Sequence, residues 1–130
     1  MDVLKAAKNH FKASLSGELY SLEVPQWTDE SGKPITIYFR SSMRLSQKSI
    51  VLKHYMKEEF DKATASQIIF RARDKDGKPI FQMNQLDQLV DETDGEVLDW
   101  ISKRMNEISP SIDEIEKNWI AIQNYSYSSN

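Results

Sequence analysis

Residues 18–39 read ELYSLEVPQWTDESGKPITIYF, and the fold turns on them. ELYSLEV (18–24) alternates, with Leu19, Tyr20, Leu22 and Val24 competing for an inner face. ITIYF (35–39) is rich in β-branched and aromatic residues, which suit a pleated, half-buried surface. Between them, PQWTDESGKP is dense in turn formers. Two short strands flanking such a loop predict an antiparallel hairpin over about 18–24 and 35–40. A lone hairpin is barely stable in water, so it must lie against other elements.

Helices supply those elements. Val3, Leu4, Ala7, Phe11 and Leu15 recur at helical spacing before Gly17 breaks the pattern. Residues 45–60 place Ile50, Val51, His54 and Tyr55 on one stripe, with Ser46 as the expected cap. ATASQIIFRA (63–72) predicts a second apolar helix with Ile68, Ile69 and Ala72 inward. Asn84 is the expected cap of a brief helix holding Leu86, Leu89 and Val90. TDGE (93–96) fits a capping box and opens a helix through Val97, Leu98, Ile101, Met105 and Ile108. Ser111 and Glu114 repeat the device ahead of Ile115, Trp119 and Ile122. The expected class is α+β, mostly helical, with four to six helices and one N-terminal antiparallel β-hairpin. Residues 1–124 are read as a single globular domain and 125–130 as a polar, frayed tail.

The tetrapeptide GKPI occurs twice, in DESGKPITIYF (29–39) and DKDGKPIF (74–81). A phosphate-binding P-loop needs G-x-x-x-x-G-K-[ST], whereas each lysine here follows a single glycine and precedes a proline that lacks an N–H. A calcium loop needs oxygen ligands where Lys78 and Pro79 stand. The flanks differ, one copy entering a strand and the other joining two helices, which argues against an internal repeat. The remaining reading is a tight turn used twice, with glycine at positive φ and Ile35 and Ile80 returning to the core.

Composition narrows the chemistry. The chain has no cysteine, which excludes disulfides, thiol catalysis and thiolate metal sites and suits a reducing compartment. No stretch approaches the roughly 20 apolar residues of a membrane span, and the N-terminus lacks the apolar core of a secretory signal. His10 and His54 are the only histidines, and no third ligand stands at metal-site spacing. Neighbouring carboxylates such as Asp74 and Asp76 sit at turns or helix starts, where they complement backbone dipoles. No nucleophile elbow or nucleotide fingerprint is present. The chain is therefore read as a non-enzyme with no cofactor and no metal.

Charge is uneven despite a net of −3. Residues 40–57 carry Arg40, Arg44, Lys48, Lys53 and Lys57 and no acid, whereas 83–116 hold ten acids against Lys103 and Arg104. A bipolar chain can complement a partner or its own copies, and the two surfaces differ, so a weak head-to-tail homo-oligomer is the expected form of self-association. Arg40, Arg44, Lys48 and Lys53, together with Trp27 in the long loop, are the candidate partner-binding residues. The basic segment also suits a small nucleic-acid-binding regulator or an antitoxin-like adaptor. An acidic domain with a pI near 5.4 opposes that, making nucleic acid the less favoured partner.

IIFRARDKDGKPIFQMNQLDQLV resembles the central signature of tail assembly chaperones from long-tailed, lambdoid-type bacteriophages. The residues carrying the resemblance are Ile69, Ala72, Asp74, Asp76, Gly77, Lys78, Pro79, Phe81, Leu86, Leu89, Asp94, Val97 and Ile101. VPQW (24–27) and IYFR (37–40) match the family's hairpin, so the likeness spans about residues 18–108. Ser41 stands where relatives often have proline, and MNQ (83–85) replaces a Thr/Asp-rich cap. The resemblance implies a non-enzymatic chaperone of siphovirus tail morphogenesis. Such a protein binds the tape measure protein, keeps it soluble and helps recruit tail tube protein. It implies action in the bacterial host cytoplasm and absence from the mature virion. In many relatives a ribosomal frameshift appends a further domain.

Overall fold

The computed structural model describes residues 2–16, 19–40 and 43–108. Among the described residues, five helices and a three-stranded antiparallel sheet give a mostly helical α+β fold. In chain order these are α1 (Val3–Ser16), β1 (Tyr20–Thr28), β2 (Pro34–Phe39), α2 (Leu45–Met56), α3 (Phe60–Arg71), β3 (Ala72–Arg73), α4 (Leu86–Glu92) and α5 (Gly95–Ile108). A 3₁₀ turn at Met83–Gln85 leads into α4. The expected helix through Ile115, Trp119 and Ile122, and the expected boundary at residue 124, lie outside the described residues.

The hairpin forms because alternation separates its two faces. Tyr20 pairs with Phe39, Leu22 with Ile37 and Val24 with Ile35, which puts these side chains on one side of the sheet. Leu22, Val24, Ile37 and Phe39 are buried there. α5 packs on β1, and α3 packs on α2, α4 and α5. Ala65, Ile68 and Ile69 of α3, Leu89 of α4 and Val97, Leu98, Ile101 and Met105 of α5 complete the core. Trp100 packs half-buried at the core's edge.

The second GKPI departs from its expected role as a helix–helix link. Ala72 and Arg73 pair with Phe39 and Tyr38, and Arg73 bridges to Pro79, so this loop also closes a hairpin. The two loops have matching hydrogen bonds. Asp29 N–H donates to Lys33 O at 2.8 Å and Gly32 N–H to Asp29 O at 3.0 Å; Asp74 with Lys78, and Gly77 with Asp74, repeat both distances. In each, an aspartate Oδ1 accepts from the second and fourth following N–H groups. The Ser31 hydroxyl, then the Lys33 N–H, hold the Asp29 carboxyl below its usual range. Gly32 and Gly77 take φ of 83° and 84°. Ile35 and Ile80 do not return to the core: each is 38% exposed, and Ile37 and Phe81 turn inward instead.

Three expected caps are also displaced. Ser46 lies inside α2, whose start is fixed by the Arg44 N–H donating to Gln47 Oε1. Asn84 lies inside the 3₁₀ turn, and the Gln82 N–H donates to Gln85 Oε1. At TDGE the cap is Asp94, whose Oδ1 accepts from Glu96 N–H, while the Thr93 hydroxyl turns back to Leu89 O at the end of α4. Side chains that can reach either neighbouring helix end make such positions ambiguous by one residue.

The long helix expected over 45–60 breaks after Met56. Glu59 N–H bonds to His54 O and Glu58 N–H to Tyr55 O, a Schellman closure with Glu58 at φ 61°. Because a non-glycine residue is strained there, Glu58→Gly should raise stability by about 1 kcal/mol, read from the urea midpoint at unchanged slope. Gly32→Ala should cost about 1–2 kcal/mol from positive φ. Gly77→Ala should cost more, since its new methyl would come within 3.3 Å of Arg40 Nη2 whereas Gly32 has open space. Equal losses at the two glycines would show that the Arg40 contact carries no energy.

Candidate functional site

The alternation that buries Ile37 and Phe39 directs Tyr38 and Arg40 to the opposite side of the sheet, and Arg73, paired with Tyr38, joins them. Arg44 arrives from the start of α2. These three arginines line an open cleft of about 500 Å³ with Phe11, Gln47, Asp76, Gly77 and Pro79. The second GKPI hairpin thus forms one wall, β2 and α2 another, and α1 contributes its Phe11 ring.

Each guanidinium is held differently. Arg40 packs over Gly77, and its Nε is buried with no acceptor among the described residues. The Arg44 guanidinium lies 5.6 Å from the centre of the Phe11 ring, a cation–π contact. Arg73 Nη2 donates to Phe70 O at 3.3 Å. Burial first, and then the charges of Arg40 and Arg44, hold the Arg73 guanidinium below its usual value. The ion pairs formed among the described residues, those of His54, Lys62 and Arg104 with Glu59 or Glu107, lie elsewhere. Folding therefore gathers three guanidiniums around one lining carboxylate, Asp76, and none of the three is ion-paired among the described residues, an arrangement that favours an anion.

Arg71 supports the cleft from beneath. It is 5% exposed, its Nε donates to Arg40 O at 3.2 Å, and its guanidinium lies 5.5 Å over the Phe39 ring. Burial pushes its pKa down to about 10, which leaves it charged at neutral pH.

Of the residues named from sequence, Arg40 and Arg44 meet in the cleft. Lys48 follows Arg44 by one turn of α2 on the same side, and Lys53 lies exposed on another face. Trp27 does not line the cleft: it sits half-buried against the core, edge-on to Phe81 at 6.3 Å. Sequence reasoning missed Arg73 and Phe11. Their signal was weak, because a two-residue strand has no readable period and the α1 stripe gives no register against β2. Val3 and Leu4 of that stripe are 71% and 65% exposed, so it is Phe11 that makes the contact.

Among the described residues no group of three or more His, Asp or Glu side chains could share a metal ion, and no helix is long and apolar enough to cross a membrane. Comparison with known proteins adds no relative: no family model, no curated protein and no solved structure matches the chain.

Trp27 and Phe81 bring the two hairpins together, so their contributions should be coupled. A double-mutant cycle on Trp27→Ala and Phe81→Ala, followed by chemical denaturation, should give a coupling energy of about 0.5–1.5 kcal/mol. Strict additivity would show that the ring contact itself carries no energy.

Proposed function

We propose that the chain is a non-enzymatic tail assembly chaperone of a long-tailed bacteriophage. On this reading it binds the tape measure protein, keeps that long helical chain soluble and helps recruit tail tube subunits. It acts in the bacterial host cytoplasm and is left out of the virion. The observation that carries the reading is the arginine cleft. Its lining includes three guanidiniums, which hold an anionic partner through charge and directed N–H donors, the chemistry of recognition. The resemblance over about residues 18–108 supplies the identity of the partner, and every lining residue of the cleft but Phe11 lies within that span. The uneven charge of the chain supports weak head-to-tail contacts between copies, since exposed ion pairs contribute only about 0–1 kcal/mol each.

The same three guanidiniums favour one alternative, a small nucleic-acid-binding regulator or antitoxin-like adaptor. The two readings separate experimentally. Co-expression with a tape measure protein encoded alongside a tail tube protein should move the tape measure protein from the pellet to the soluble fraction and co-purify it. A tape measure protein that stays insoluble, with the chain instead retarding DNA with a steep salt dependence, would overturn the chaperone reading in favour of the regulator.

A further inference from the structure

We propose that the cleft between Arg40, Arg44 and Arg73 is a binding site for the paired carboxylates of an acidic peptide segment. The site stands on its own residues and does not require the tail-assembly reading.

Three features set this ligand class. The first is charge. Three guanidiniums and one carboxylate, Asp76, line the cleft, so its positive charge is matched by about two carboxylates. A guanidinium presents a planar fork that accepts a carboxylate bidentately, and Arg73 and Arg44 project theirs into one space. The second is preorganisation. Packing over Gly77 fixes Arg40, the Phe11 ring fixes Arg44, and a bond to Phe70 O fixes Arg73. A ligand meets donors that are already ordered, which lowers the entropic cost of binding. The third is the lining between the charges. Phe11 and Pro79 offer apolar surface to the methylene stems of acidic side chains, and the Gln47 amide and Asp76 can bond to peptide N–H and C=O groups.

A nucleic-acid strand fits less well. It needs a continuous basic track, whereas Asp76 interrupts the lining and the α4–α5 side of the domain carries exposed Asp87, Asp91, Glu92, Glu96 and Asp99. The carboxylates can come from another protein or from a second copy of this chain, whose own α4–α5 side is acidic.

The test uses the full chain and a fluorescein-labelled synthetic peptide with two Glu-Glu pairs separated by alanines. Fluorescence anisotropy at low ionic strength should show binding that weakens as salt is added. Arg44→Gln and Arg73→Gln should each weaken it about tenfold or more, while Lys33→Gln, on the other loop, leaves it unchanged. Circular dichroism melts establish that the variants are folded, and Arg44, at an exposed helix start, serves if Arg73→Gln is not. A peptide with glutamine in place of glutamate should not bind. Sedimentation of the chain by itself assigns the source: association lost in Arg73→Gln identifies a second copy, and a monomer that binds the peptide identifies another protein, and either result supports the site. Peptide binding unaffected in both folded variants, no binding by the wild type, or tighter arginine-dependent binding of an oligothymidylate would overturn it.

Discussion

A charged guanidinium at the centre of the domain joins the sheet to the helices. Arg71 ends α3, and from there it reaches Arg40 O at the end of β2 and Asn106 Oδ1 on α5, the latter at 2.9 Å. Gln67 and Ser102 extend the polar chain between α3 and α5, with both bonds at 3.4 Å. Placing such a charge inside a core is costly unless its donors are used, so the groups around it are constrained in position. β2, α3 and α5 must all be seated for the donors to be satisfied. Apolar packing supplies most of the driving force, but it is non-directional; the guanidinium makes one arrangement of these three elements better than its neighbours.

That constraint also shapes the opposite side of the sheet. By fixing the carbonyl of Arg40, Arg71 determines where the chain leaves β2 and hence where the Arg40 side chain lies over Gly77. Two arginines thus divide the work across the same few residues, one inside as a strut and one outside as a cleft wall. Arg71 arrives from the end of α3 on the Phe39 side, whereas alternation along β2 sends the Arg40 side chain to the opposite face.

Much of this was legible in the residues. The hairpin, the α5 stripe of Val97, Leu98, Ile101 and Met105, and the glycine turns all follow from period and turn chemistry, because these depend on near neighbours. The third strand was not. Ala72 and Arg73 look like the last turn of a helix, and only pairing with β2 makes them extended, a tertiary override of local preference. Half of the cleft shares that origin. Arg40 and Arg44 stand in a readable basic run, whereas Arg73 enters through the hidden strand and Phe11 through the docking of a helix that leaves Val3 and Leu4 exposed. The caps failed for a smaller reason: Ser, Thr and Asn near a helix end have several backbone groups within reach, and sequence does not say which one wins.

The twin loops carry a kinetic meaning. Each closes its hairpin over a few residues, with an aspartate and a glycine doing the same work, so little loop entropy opposes either one. Isolated hairpins of this kind form in about 1–10 μs. The pairing of β2 with β3 is different, because Phe39 must find Ala72 across the whole of α2 and α3. Collapse of those two helices against each other shortens the effective distance. The expected order of assembly is therefore two local hairpins and a helical pair first, and the seam between β2 and β3 last. The cleft straddles that seam, so it comes into being only with the completed native sheet.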